Sequence, residues 1–225
     1  MKIYLTAPLI EPNPTESRLW KLWLTRFRPQ DNYEVWRPAP GEYHDELLTR
    51  IWEDAVARRH THPHVLILDM DFIPYNSLIS QVERDLRHYK LLFTPYFTRD
   101  QHGVNPHPFV TGLWFWAIDF TNCKSLPRPD FPQIIGRPMD VGGGSLFHFL
   151  NCDFCTFQDV KFYSGIGDPI TGFVDYPDLG IHVFHHRVFA EPLTNIIQSE
   201  LRISVASHLA SINKILDKLS PTPVK

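Results

Sequence analysis

Val65-Leu66-Ile67-Leu68-Asp69-Met70-Asp71-Phe72-Ile73-Pro74 (VLILDMDFIP) is the stretch on which the reading of this chain turns. An apolar run of strand length ends in two carboxylates one residue apart. Pro74 lacks a backbone N–H and cannot continue a central strand. The run therefore predicts a buried strand that emerges at a sheet edge beside Asp69. On an extended chain, residues i and i+2 project to the same side, so Asp69 and Asp71 are expected to converge on one cation. Carboxylate oxygens suit the hard ions Mg²⁺ or Mn²⁺, and such an ion can neutralise a diphosphate. Open α/β sheets hold their ligands outside the carboxyl ends of strands, where this pair falls. The competing reading is two acids that end a strand and face water.

Upstream of this run the chain alternates strand and helix. Lys2 to Leu9 reads as a short buried strand stopped by Pro8, Pro12 and Pro14. Thr15 to Arg28 places Leu19, Trp20, Leu22, Trp23 and Phe27 at helical spacing, with Thr15 as N-cap. Tyr33 to Trp36 is a second strand, and Asp45 to Arg59 a helix whose apolar face carries Leu47, Leu48, Ile51, Trp52, Ala55 and Val56. Strand, helix, strand, helix, strand implies a parallel sheet with right-handed crossovers.

Downstream, Ser77 to Tyr89 predicts an amphipathic helix, and Leu91 to Phe97 and Thr111 to Phe120 predict strands. Thr98 to Pro108 and Leu126 to Met139 read as loops, Ser145 to Asn151 as a short helix, and Phe154 to Gly172 as irregular. Ile181 to Phe184 is a last strand. Leu193 to Leu219 is one long amphipathic helix, broken at most once, whose apolar positions must pack on the domain or on a second copy of the chain. The expected architecture is a single α/β domain over residues 1–225, with a mainly parallel central sheet flanked by helices.

Composition sets outer bounds. At 225 residues, 43% apolar and 21% charged, the chain suits a soluble globular domain. A net charge of −3 gives no electrostatic case for nucleic acid. No apolar run reaches spanning length and no secretory leader is evident, so a cytoplasmic protein without a transmembrane segment is expected. Three cysteines, an odd number, argue against a disulfide framework.

The order of these elements resembles the GT-A fold of nucleotide-sugar-dependent glycosyltransferases of the Asp-x-Asp type. A strand–helix–strand–helix region precedes an apolar strand ending in Asp69-Met70-Asp71. Thr111 to Phe120 (TGLWFWAIDF) is similar to the family's acceptor-side strand. Asp140-Val141-Gly142-Gly143 before an apolar helix is similar to its Asp-x-Gly element, and Ile181 to Arg187 (IHVFHHR) to the late strand that supplies a histidine to the metal. The resemblance covers most of residues 2–190. It implies a Rossmann-like domain with a nucleotide-binding half at 1–74, an acceptor half at 75–190 and a C-terminal helix at 191–225. It also implies transfer of a sugar from a nucleotide diphosphate donor to a glycan, protein or other acceptor.

The resemblance assigns roles by residue. Asp71 and Asp69 would hold Mn²⁺ or Mg²⁺, with Asp69 acting directly or through water and the ribose. His185 is the first choice to complete the coordination, although His182 and His186 lie on the alternate face of that strand and stay open. Thr6, Ala7 and Pro8 fall where the family binds nucleobase and ribose, and Arg187 is the nearest diphosphate partner. Asp140 would be a general base or acceptor clamp; its other reading is a helix cap ahead of three glycines. One of Trp114 and Trp116 is expected to stack on a sugar. Departures from the pattern are a first loop with only Glu11 and Asn13 as polar contacts and no Arg or Lys directly after the Asp-x-Asp.

Three alternatives come from other classes. A catalytically inactive domain of this fold would bind glycans or a partner protein. A phosphohydrolase would use Asp69 as nucleophile and Asp71 as acid, but that chemistry sits near the N-terminus with Thr and Lys downstream. Cys152-Asp153-Phe154-Cys155, with His148 and Cys123, has zinc-compatible spacing, yet only one of the usual two pairs is complete.

Overall fold

The computed structural model describes residues 1–6, 14–28, 30–42, 44–69, 71–96, 110–121, 123, 126, 129, 149–150, 152–168, 173–183 and 205–219. In chain order the strands are β1 (Lys2–Thr6), β2 (Tyr33–Trp36), β3 (His64–Leu68), β4 (Phe72–Pro74), β5 (Leu91–Tyr96), β6 (Val110–Asp119), β7 (Val160–Phe162), β8 (Ile166–Asp168), β9 (Phe173–Tyr176) and β10 (Gly180–Val183). The helices are α1 (Pro14–Leu24), α2 (His44–Ala57), α3 (Leu78–Asp85) and α4 (Val205–Leu219).

Six strands form the central sheet in the order β2-β1-β3-β6-β5-β7. β1 pairs parallel with β2 and β3, and β5 with β7, while β6 runs antiparallel between β3 and β5. This is the expected mainly parallel α/β sheet. Its central strands are apolar on both faces, as strands covered on both sides must be. Alternation sorts them: Tyr4, Val65, Ile67, Phe93, Trp116 and Ile118 pack with Leu47, Ile51 and Trp52 of α2. Ile3, Leu5, Leu66, Leu68, Leu92 and Phe115 pack with Trp23 of α1 and Leu78 and Val82 of α3. Thus α1 and α2 cover opposite faces.

A second sheet, β4-β10-β9-β8, was not legible as such in the sequence. Pro74 does end the run from Val65, but the chain has already left the central sheet at Asp69. Phe72–Pro74 resumes as an edge strand, the one place a residue without an N–H is tolerated. The segment expected to be irregular, Phe154 to Gly172, instead supplies β7 and β8 around a three-residue 3₁₀ turn, Phe157–Asp159. Gly180 is required where β10 crosses β4: a Cβ there would lie 2.3 Å from the Ile73 carbonyl oxygen.

The C-terminal helix packs on its own domain. Ile212 and Leu216 of α4 are buried with Leu22 of α1, Ile73 of β4 and Ile181 and Val183 of β10. Arg18 Nη1 donates to Asn213 Oδ1 at 2.7 Å, and the Arg26 guanidinium to the Leu219 carbonyl at 2.5 Å. Ile212 and Leu216, on the described part of the helix, are thus covered from within the chain. No helix among the described residues is long and apolar enough to cross a membrane.

Candidate active site

The connectivity locates a crevice. From β1 the chain crosses to β2 on one side, then returns past β1 to β3 on the other, with α1 and α2 on opposite faces. The crossovers diverge at β1 and β3, so the gap beyond their carboxyl ends is a topological switch point, where open α/β sheets receive ligands. Thr6 is the last residue of β1, and Asp69 follows the last residue of β3.

The two meet across the gap. The Thr6 hydroxyl donates to Asp69 Oδ1, and both residues are buried. β2 and α2 bring a third group: because α2 follows a strand parallel to β1, its N-terminus also lies at the carboxyl edge. His44, its first residue, places Nε2 3.3 Å from Asp69 Oδ2. A carboxylate near a helix N-terminus is further favoured by the helix dipole.

Asp71 is oriented from the second sheet. The Val183 N–H donates to its carbonyl oxygen at 2.8 Å, and His182 of β10 is in register with Phe72. That pairing sets His182 Nε2 3.3 Å from Asp71 Oδ2, with the imidazole almost wholly enclosed. The two carboxylates keep side-chain exposures of 12% for Asp69 and 18% for Asp71, so both remain reachable from the crevice.

The chain after Asp69 is not extended as expected: the Phe72 N–H donates to the Asp69 carbonyl oxygen at 3.0 Å, closing a turn. Each aspartate is instead handed its own histidine. Among the described residues no three His, Cys, Asp or Glu side chains are grouped to hold a metal.

The sequence-predicted residues divide accordingly. Thr6 and Asp69 meet at the carboxyl edge of the central sheet, while Asp71 faces His182 of the second sheet. Ala7, Pro8, Asp140, His185 and Arg187 lie outside the described residues, as does the side chain of Trp114. Trp116 is a core residue with no exposed surface, packed edge-on to Phe93 and Phe149, and offers no face to a sugar. His44 carries no signal in the motif reading, although a residue opening a helix at the carboxyl edge is a candidate on position alone; His182, one of the three histidines left open on the late strand, is the one that stands beside Asp71 among the described residues.

The cysteines carry no such signal. Burial pushes the Cys155 thiol up to about 12 and the Cys123 thiol up to about 11, with Asp159 and Asp119 respectively adding to the shift. Thiols held protonated in this way are poor metal ligands and poor nucleophiles. None of Cys123, Cys152 and Cys155 forms a disulfide.

Comparison with known proteins gives little beyond this geometry. No family model matches the chain, and no curated protein matches it. Among solved structures, one similar chain is A197 from STIV, with 14% identity, a TM-score of 0.45, and coverage of 81% of this chain and 94% of that one. Another is a glycosyltransferase involved in the glycosylation of the major capsid of PBCV-1, with 12% identity, a TM-score of 0.34, and coverage of 52% of this chain and 59% of that one.

Proposed function

We propose that this protein is a metal-dependent glycosyltransferase that moves a sugar from a nucleotide diphosphate donor. The observation that supports the reading is a pair of carboxylate–histidine couples that follow β3: Asp69–His44 at the switch point of the central sheet and Asp71–His182 on the second sheet. The donor set fits a hard divalent ion: carboxylate oxygen and imidazole nitrogen are ligands that Mn²⁺ accepts. Mg²⁺ and Mn²⁺ sites of this kind take only one or two protein carboxylates and complete their shell with substrate phosphates and water. Asp71 and His182 would hold the ion, which supplies charge neutralisation to the leaving diphosphate.

The remaining roles belong to the chain itself. Asp69, held by the Thr6 hydroxyl with His44 Nε2 3.3 Å away, would present its carboxylate to ribose hydroxyls or to an ion-bound water. Asp140 is the proposed acceptor-side base, Arg187 the proposed diphosphate partner and His185 a further proposed metal ligand.

Calorimetric titration of nucleoside diphosphates and nucleotide sugars, with and without Mn²⁺, tests the proposal. Wild type should bind a nucleoside diphosphate only with the metal. Asp71→Ala should abolish that binding, and His182→Ala should weaken it, with partial recovery at higher Mn²⁺. Nucleotide binding by Asp71→Ala equal to wild type refutes the site. Metal-dependent binding with no donor hydrolysis or transfer under any metal would leave a binding module of this fold.

A further inference from the structure

The edge of the sheet opposite the switch point holds a groove that the transferase reading does not use. Lys90 immediately precedes β5 and Asp159 immediately precedes β7, two strands that run parallel to each other and to β1. The groove therefore opens at their amino ends, more than a strand length (about 16 Å) from the Thr6–Asp69 contact. Its volume is about 510 Å³, within the range of about 300–1,000 Å³ typical of small-molecule sites.

Its lining is of mixed character. The Phe157 ring is 60% exposed, one of the few large apolar side chains left in solvent among the described residues. Asp153 stands at the rim in a left-handed conformation, φ 55°, which Asp and Asn tolerate better than other side chains. Asp159 accepts from the Thr156 N–H at 2.7 Å and from the Thr156 hydroxyl at 2.9 Å, both through Oδ2. Those bonds hold its carboxyl below the usual range, so it is ionised at neutral pH. Lys90 Nζ donates to the Phe154 carbonyl at 3.1 Å, using one of the three donors an ammonium carries.

We infer that this groove is a carbohydrate-binding site that takes a neutral saccharide stacked on Phe157. Charge decides the ligand class. Two carboxylates against one ammonium disfavour phosphates, nucleotides and other anions, and Lys90 in the lining disfavours a cationic peptide. A neutral polyol uses all of the groups: its hydroxyls donate to Asp153 and Asp159 and accept from Lys90. The apolar C–H face of a sugar ring covers the exposed aromatic face. The site does not rest on the transferase reading, although in a transferase it would tether a glycan acceptor and raise its local concentration at the distant crevice.

Saturation-transfer NMR on the full chain tests it, with glucose, galactose, mannose, N-acetylglucosamine and their short oligomers as probes. At least one saccharide should receive saturation and bind in the millimolar range, with or without Mn²⁺. Phe157→Ala, at an exposed position, should weaken it about tenfold, a factor that corresponds to one lost stacking contact. Asp153→Asn, which keeps the left-handed backbone accessible, should weaken it as well. Asp71→Ala should leave saccharide binding unchanged, so failure of nucleotide binding and failure of this site are separately visible. The inference is overturned if no saccharide receives saturation, if both groove variants bind like wild type, or if an arginine-rich peptide or inorganic phosphate displaces the sugar.

Discussion

Asp85 offers the sharpest quantitative test of how the helix that follows the Asp-x-Asp turn is fastened to the sheet. It closes α3 and is buried, 6% exposed. Its Oδ2 accepts from Tyr163 Oη, from Gln81 Nε2 at 2.6 Å and from Lys161 Nζ at 2.8 Å. Burial alone raises a carboxyl, but here the bonds from Lys161, Tyr163 and Gln81 outweigh it and the group lies below the usual range. Asp85→Asn removes the charge at nearly constant volume. The enclosed Tyr163 and Gln81 bonds to a charged acceptor contribute about 1.5 kcal/mol each, and Lys161, 30% exposed, adds less than about 1 kcal/mol. A loss of about 3 kcal/mol lowers Tm by roughly 6–12 °C for a domain of this size. The sign with pH follows from the lowered folded-state value. The contribution is fully present above the unfolded carboxyl's titration near pH 4, and is lost as pH falls through the lower folded value. Thermal unfolding of wild type and Asp85→Asn from pH 7 to pH 2.5 should therefore show a constant gap down to about pH 5 that narrows below about pH 4. A gap under about 2 °C at pH 7, or one that persists unchanged at pH 3, refutes the reasoning.

Other positions give shorter tests. Thr6→Val keeps the shape of the β1 end but leaves Asp69 without its hydroxyl donor; it should cost about 1–2 kcal/mol in thermal unfolding and weaken Mn²⁺-dependent nucleotide binding. Gly180→Ala drives a methyl into the Ile73 carbonyl and should displace β10, so that His182 no longer reaches Asp71; nucleotide binding should fall together with Tm, whereas a fall in Tm alone would detach β10 from the site. Alkylation of Cys155 should be negligible at pH 8 and rise about tenfold per pH unit above it, because burial pushes its thiol up to about 12; fast labelling of the folded protein at pH 7 would contradict this. Truncation after residue 204 should uncover Leu22, Ile73 and Ile181 and give an aggregating protein, with a monodisperse, nucleotide-binding product as the contrary result.

What was legible in the sequence was the part governed by local pattern. Tyr33–Trp36 was read with its observed bounds, and β1, α1, α2, β3, α3 and β5 within a few residues, since each is an apolar stripe or run closed by proline or charge. The second sheet was not legible because its strands are three or four residues long. Ile166–Asp168 exposes its one large apolar residue, and Phe72–Pro74 ends in the residue that normally argues against a strand. Such segments are strands only because a neighbour supplies the partner, and that information is tertiary.

The same division runs through the site. Asp69 and Asp71 declare themselves because an apolar strand ends in them, but the sequence assigns them a shared cation on the strength of extended geometry. The turn from Asp69 to Phe72 removes that geometry and gives each carboxylate to a different layer of the protein. Asp69 faces the first residue of α2 and the end of β1, both set by the parallel sheet. Asp71 faces β10, which reaches it only because Gly180 allows β10 to lie against the Ile73 carbonyl. The two carboxylates are thus tied to different sheets, which the Asp69–Phe72 turn connects. A shift of the second sheet would move Asp71 and His182 while leaving Thr6, His44 and Asp69 in place. Asp71 and His182 variants should accordingly act on metal dependence, and Thr6 and His44 variants on affinity for the nucleoside. If His44→Ala and His182→Ala change metal dependence alike, the two couples work as one centre and the division fails.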